Sequence, residues 1–247
     1  MITTQDRFLG GRLTIEQPQK GYRAGVDPVF LAAAVPARAG QSVLDLGCGV
    51  GVASLCLGAR VPGLNLFGVE INADHAALAV KNADANGIAF HVAHVDLAAL
   101  PNPLRTQTFD HVIANPPYFS NGTNGAGALA RHEETPLATW LTVGAKRLSP
   151  KGRLTLILRP DRLQDALAKL PSGMGSIEIQ PLSPREGRDT TLVLISAVKG
   201  GRAALCLRAP ILLHDGAAHT TDGNDYSAIA RAVLRDGAAL KSSAAAN

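Results

Sequence analysis

The segment Val43-Leu44-Asp45-Leu46-Gly47-Cys48-Gly49-Val50-Gly51 constrains this 247-residue chain more than any other stretch. An apolar strand runs into three alternating glycines and then into a helical pattern over about Val52–Arg60. Glycine turns sharply with positive φ and lets a ligand approach bare backbone. The order strand, glycine loop, helix marks the place where doubly wound sheets bind nucleotides. The spacing is G-x-G-x-G, without the longer gap of dinucleotide enzymes or the lysine of a phosphate-gripping loop, so a pyrophosphate is disfavoured.

The same alternation continues along the chain. Strands are expected at Val43–Leu46, Leu66–Glu70, Phe90–Val95, His111–Ala114 and Leu154–Leu158. Between them, helices are expected over Ala73 to Asn86 (capped by Asn72, stopped by Gly87), Leu137 to Leu148 and Asp161–Leu170. Beyond Pro171 the β-rich runs Ile177–Pro181, Thr190–Ala197 and Ala204–Leu213 are separated only by turns and read as antiparallel, and a last helix follows over Asp225–Arg235. Residues 1–25 read as an irregular arm with a short hairpin. Val26–Val35 reads as a buried helix with Asp27 as N-cap and Pro28 in the first turn. The fold class expected is α/β: a Rossmann-like, doubly wound, seven-stranded sheet, mostly parallel with an antiparallel C-terminal hairpin. One domain is expected over residues 1–247, with 1–40 as arm and short helix and 241–247 as a frayed tail.

Composition removes several classes. Hydrophobic residues make up 46% and charged residues 18%, which excludes disorder as the main state. Three cysteines, an odd number without repeated spacing, make neither a disulfide framework nor a zinc site. No apolar run reaches the roughly 18 residues of a membrane span, and Met1–Gly10 lacks a signal-peptide pattern, so a soluble cytoplasmic protein is expected. No metal site is expected: His91 and His94, three apart on a strand, point to opposite faces, and His214, Asp215 and His219 read as a solvated turn. No serine occupies a nucleophile elbow. Residues 146–208 carry 12 basic and 5 acidic groups, the whole positive excess of the chain. Lys146, Arg147, Lys151, Arg153, Arg159, Arg162, Arg185, Arg188, Lys199 and Arg202 would grip a phosphate backbone if the fold gathered them on one face, and would otherwise be a scattered, solvated surface.

Three carboxylates fall at strand ends. Glu70 closes the second strand 19 residues after Gly51 and is placed to accept two ribose hydroxyls, while Asp96 follows the third strand in the same row. With Asp45 they would repel phosphates and suit an adenosine carrying an uncharged or cationic group. Here the sequence resembles the class I S-adenosylmethionine-dependent methyltransferases. The resemblance implies that the loop (Asp45, Gly47, Cys48, Gly49, Gly51) holds the methionine portion, that Glu70 with Ile71 takes the ribose, and that Asp96 with Leu97 faces the adenine. Cys48 reads as a small filler, because nothing nearby activates a thiol.

Asn115-Pro116-Pro117-Tyr118 follows the fourth strand, beside the switch point of such a sheet. A planar exocyclic or amide nitrogen is a weak nucleophile because its lone pair is delocalised. The Asn115 side-chain oxygen and the Pro116 carbonyl can each accept one of its N–H groups and aim the lone pair at the donor's methyl. The prolines stiffen the loop, and Tyr118 can stack on a planar target. The catalytic residues expected are therefore Asn115, Pro116, Pro117 and Tyr118, with Asn115 also touching the cofactor. The motif resembles that of enzymes acting on adenine amines and of enzymes acting on protein glutamine amides.

A closer resemblance runs from Asp6 to about Arg208, to the bacterial tRNA adenine-N6 methyltransferases that modify the anticodon loop of a valine tRNA. It is carried by Gly21-Tyr22-Arg23-Ala24-Gly25-Val26-Asp27 ahead of an Ala/Leu-rich helix, then by the glycine loop, Glu70 and the tetrapeptide. It implies S-adenosylmethionine as cofactor, RNA as partner, and Arg23 and Asp27 near the substrate and cofactor. The base would be extruded and held at Tyr118, with Ser120–Gly127 a rim that orders on substrate and Arg131-His132-Glu133 its border. The alternatives are a glutamine-amide N-methyltransferase, a noncatalytic RNA-binding module of the same fold and a nicotinamide-dependent oxidoreductase. Oligomeric state is left open.

Overall fold

The computed structural model describes residues 1–21, 23–117, 135–216 and 225–240. Tyr22, Tyr118, the 120–127 and 131–133 stretches, His219 and the 241–247 tail lie outside them.

The main sheet is built on β3 (Ser42–Leu46). On one side it pairs in parallel with β4 (Asn65–Glu70), which pairs with β5 (Phe90–His94); on the other it pairs in parallel with β6 (Phe109–Ala114). Next come β7 (Leu148–Leu158), parallel to β6, then β9 (Leu192–Lys199), antiparallel to β7, and β8 (Met174–Ser183), antiparallel to β9. These are the seven expected long strands, in the order β8-β9-β7-β6-β3-β4-β5, with the antiparallel C-terminal hairpin in place.

The third C-terminal run departs from expectation. It forms two two-residue strands, β10 (Cys206–Leu207) and β11 (Ile211–Leu212), which bring the sheet to nine and run parallel to β8. The chain leaves β9 at the Gly200–Gly201 turn and passes the starting end of β8, where Gly200 N–H bonds Gly173 O (2.6 Å), so it returns along β8's far edge in β8's own direction. Pro210 between the two pieces has no N–H for a ladder and keeps them apart.

Two apolar clusters sandwich the sheet. One packs α1 (Asp27–Ala34), α2 (Val52–Arg60), α3 (Ala73–Ala85) and α6 (Ala228–Asp236) around Phe30, Leu55, Leu57, Ala79 and Val233. The other packs α4 (Leu137–Arg147) and α5 (Leu163–Ala168) around Trp140, Leu141 and Ala166. Helix boundaries follow the expected signals in α3, where the Asn72 side chain accepts from His75 N–H and Gly87 takes φ 64°. They do not in α1. There Val26 holds the cap position, its carbonyl accepting from Val29 and Phe30, and Asp27 is already the first helical residue. The last two helices start later than expected, α5 behind a 3-10 turn at Pro160–Arg162 and α6 at a Ser227 cap.

The N-terminal arm is more regular than expected. β1 (Thr3–Phe8) and β2 (Leu13–Pro18) form an antiparallel hairpin that buries Leu13 and Ile15 in the first cluster. An isolated hairpin is marginal in water. Asn82 of α3 and Asn86 at its C-cap hold this one: Asn86 accepts from Thr14 N–H (3.0 Å) and donates to Thr14 O (2.9 Å), and Asn82 does the same to Glu16 (2.8 and 3.0 Å).

Packing also fixes Gly68 in β4. A Cβ there would lie 2.6 Å from the Phe90 ring and 2.8 Å from Cys48 Sγ, both buried. Gly68→Ala is therefore expected to destabilise by about 1–3 kcal/mol, read as a lowered midpoint in denaturant with unchanged slope.

Candidate active site

β3 and β6 are neighbours with Leu46 opposite Ala114, so the glycine loop and Asn115 leave the sheet side by side at its carboxyl rim. Glu70 closes the next strand along the same rim, and Asp96 lies two residues beyond the end of the one after it. A cleft of about 470 Å³, open mouth included, lies over the loop and is lined by Asp45, Gly47, Cys48, Gly49 and Asn115 together with Gln17, Ala24, Pro28 and His75.

The loop's glycines have separate reasons. At Gly47 (φ 63°) a Cβ would meet the Trp140 ring at 2.4 Å, so the indole packs directly on the backbone. At Gly49 (φ 56°) a Cβ would meet nothing within 4 Å, because this face opens toward the cleft. Gly51 takes φ 92° and hands the chain to α2. Cys48 is buried; burial first, then the charges of Asp45 and Glu70, pushes its thiol well above the usual range, away from the thiolate.

The carboxylates do different work. Asp45, 2% exposed, accepts a hydrogen bond from Ser54 Oγ at 2.7 Å. Burial pushes its carboxyl up to about 7 against that hydroxyl's pull, and the charge of Glu70 adds to the rise. Glu70, 8% exposed, accepts from Gly49 N–H through Oε2 (2.9 Å) and from Asn72 N–H through Oε1 (2.8 Å), tying the loop to the start of α3. Each oxygen keeps a lone pair for a ligand. Ile71 beside it is 53% exposed, an apolar surface at the rim. Asp96 accepts from Ala98 N–H at 2.8 Å and caps its own short turn, with Leu97 buried behind it. Asn115 is half-buried, Pro116 buried and Pro117 exposed.

A cationic adenosine derivative fits these residues. Gly49 leaves room against bare backbone, and Asp45 in the lining, with Glu70 bonded to the loop and no lysine or arginine among the lining residues, favours positive charge over phosphate.

Sequence reasoning missed the cleft's other wall. Gln17, 1% exposed, accepts from Ala24 N–H (2.8 Å) and donates to Ala24 O (3.3 Å) and Asp6 (2.7 Å), fixing the chain that lines it. Arg23 is engaged elsewhere: it pairs with Asp6 and donates to Thr4 Oγ1 (2.6 Å) and Pro18 O (2.9 Å), while the adjacent Ala24 lines the cleft. Asp27 lies between the lining residues Ala24 and Pro28. Trp140 had no local signal; its N–H donates to Thr135 O at 3.1 Å.

The basic block does not gather on one face. Lys146, Arg147, Lys151, Lys199 and Arg202 sit at the amino ends of the parallel strands, away from the cleft. Arg159, Arg162, Arg185 and Arg188 follow strand ends at the rim. Several are held internally: Arg153 donates to Ser196 (2.8 Å), Arg147 to Leu104 O (3.0 Å) and Lys199 to Leu148 O (2.7 Å), and Arg208 pairs with Glu178. Exposed Arg188 and half-exposed Arg159 remain at the rim. His214 is not solvated: it bonds Asp225 (2.7 Å), which also pairs with Arg185, and stacks on Tyr226. His94 bonds Ile71 O (3.0 Å) and His91 leans on Phe67, and among the described residues no His/Cys/Asp/Glu cluster could hold a metal.

The sequence matches the methyltransferase small domain over residues 25–179, and the chain belongs to this family. It has the class I Rossmann-like fold and is an S-adenosylmethionine-dependent methyltransferase. It is 36% identical over 172 residues to the tRNA1(Val) (adenine(37)-N6)-methyltransferase of Porphyromonas gingivalis, covering 65% of this chain and 68% of that protein. The enzyme of the same name from Dickeya chrysanthemi is 30% identical over 87% of both chains. Among solved structures, a predicted O-methyltransferase from Agrobacterium tumefaciens superposes with TM-score 0.71 at 26% identity, covering 87% of this chain and 98% of that one. Among the described residues no helix is long and apolar enough to cross a membrane.

Asp45 gives the stability a pH dependence. The folded carboxyl keeps its proton to about pH 7 and the unfolded one releases it near 3.8, so stability falls as pH rises through that window and is level above it. Asp45→Asn keeps an acceptor for Ser54 without the titration. Its melting temperature is expected to equal the parent's below the window and to exceed it progressively up to neutral pH, as scanning calorimetry would show.

Proposed function

We propose that the chain transfers the methyl group of S-adenosylmethionine to the N6 amine of an adenine in a tRNA, the anticodon-loop adenine named for its relatives being the first candidate. The observation that carries this reading is the pairing of β6 beside β3, which sets Asn115 and Pro116 next to a loop lined by Asp45 and braced by Glu70. The cofactor, when bound, supplies a methyl carbon made electrophilic by its sulfonium. The glycine loop and Asp45 would hold its methionine end, Glu70, with Ile71 alongside, would take the ribose, and Asp96 and Leu97 would border the adenine.

Asn115 and Pro116 act on the acceptor. Their oxygens take the amine's two N–H groups, favour a pyramidal nitrogen and aim its lone pair at the methyl carbon. A bound donor would supply the methyl group and keep the bonding pair on its sulfur, while the amine's surplus proton would leave to solvent. Each acceptor strengthens as positive charge develops on nitrogen, by roughly 1.5–3 kcal/mol or about 10- to 100-fold in rate. Pro117 stiffens this turn, and a stacking role on the base is assigned to Tyr118 from the sequence alone. Among the described members of the basic block, exposed Arg159 and Arg188 at the rim support a role in meeting RNA phosphates, and a tRNA substrate favours the cytoplasm.

Incubation with labelled methyl donor and total tRNA, followed by nucleoside mass spectrometry, tests the reading. N6-methyladenosine is the expected product; label confined to protein glutamine, or to an oxygen acceptor, would reject it. Asn115→Ala is expected to lower turnover at least about 10- to 100-fold while donor affinity stays within several-fold, a split visible in single-turnover rates beside calorimetric titration.

A further inference from the structure

The hairpin, helix α3 and the glycine loop meet at one side chain. Asn82 is 2% exposed, and every polar group of its amide is placed. Oδ1 accepts from Glu16 N–H at 2.8 Å, and Nδ2 donates to Glu16 O and to Val50 O, both at 3.0 Å. Val50 stands between Gly49 (φ 56°) and Gly51 (φ 92°). Glycine on both sides leaves the φ/ψ choice to hydrogen bonds: Gly51 N–H bonds Cys48 O and Gly49 N–H bonds Glu70 (both 2.9 Å), and the Val50 carbonyl is held by Asn82. Asn86, one turn on, makes the same two bonds to β2 at Thr14, but its amide also donates to Asn82 O (2.7 Å) and reaches no part of the loop. Bracing a hairpin explains both asparagines; it does not explain the bond to Val50.

We propose that Asn82 is a positioning residue for the methyl donor. Its bond to the Val50 carbonyl sets how the Gly49–Gly51 backbone faces the cleft and registers that loop against the hairpin wall carrying Gln17. The inference rests on reading the cleft as the S-adenosylmethionine site. Asn82 lines no part of the cleft and acts only through the loop.

Asn86 supplies the matched control. In the full chain, Asn82→Ala and Asn86→Ala are both expected to melt earlier. Below both melting points, Asn86→Ala should keep the donor Kd within about twofold, and Asn82→Ala should raise Kd and donor KM at least about tenfold with kcat at saturating donor little changed. Asn82→Asp faces two carbonyls with a carboxyl, so its affinity relative to the parent should recover between about pH 8 and pH 5.5, as the group gains a proton to donate. If Asn82→Ala does not fold, this pH comparison decides. Alanine variants that weaken the donor equally, or an aspartate variant whose ratio to the parent is flat in pH, would overturn the proposal. Failure of the parent to bind S-adenosylmethionine would instead reject the cofactor reading. Amide hydrogen exchange then judges the coupling: faster exchange over residues 50–53 in Asn82→Ala alone upholds it, and equal rates in the two variants sink it.

Discussion

The reversal of strand order at β3 is the constraint on which the site depends. β4 and β5 add to one side of that strand and β6 to the other, so the connections depart in opposite directions and leave a crevice at the carboxyl rim. The ladder between Leu46 and Ala114 makes Gly47 and Asn115 neighbours although 68 residues separate them. Glu70 secures the arrangement: its two oxygens hold the loop on one side and the entry to α3 on the other. A shift of one residue between β3 and β6 would turn their side chains to the wrong faces, and both apolar clusters oppose it.

Much of the fold is legible because its signals are local. Three apolar residues around Asp45, followed by glycine, mark β3, Asn72 and Gly87 bracket α3, and the loss of helical pattern after Pro171 marks the antiparallel hairpin. What escapes is set by neighbours in space. A two-residue strand such as β10 has no period to read. The cap of α1 falls to Val26 because its carbonyl meets two successive N–H groups, which side-chain chemistry does not announce.

The candidate site divides the same way. The loop, its following carboxylates and the residues after β6 stand at strand ends, where sequence position and spatial position coincide. Gln17, His75 and Trp140 reach the loop from elements 28 to 93 residues away in sequence, and no spacing encodes such meetings. The basic block shows the limit of counting charge. Its total is plain in the sequence, but β9 runs against β7 and β8, so consecutive cations are sent to opposite ends of the sheet.

The amide zipper between α3 and β2 has a consequence for life in a crowded cell. The outward backbone groups of Thr14 and Glu16 would otherwise form an open edge, the kind of surface on which strands from other molecules nucleate aggregates. Two carboxamides, each offering a donor and an acceptor as a peptide unit does, occupy those groups without adding a strand. Helix α3 and its cap residue thus act as a surrogate neighbour, covering the Thr14 and Glu16 backbone along that margin, where Lys81 of the same helix also pairs with Glu16.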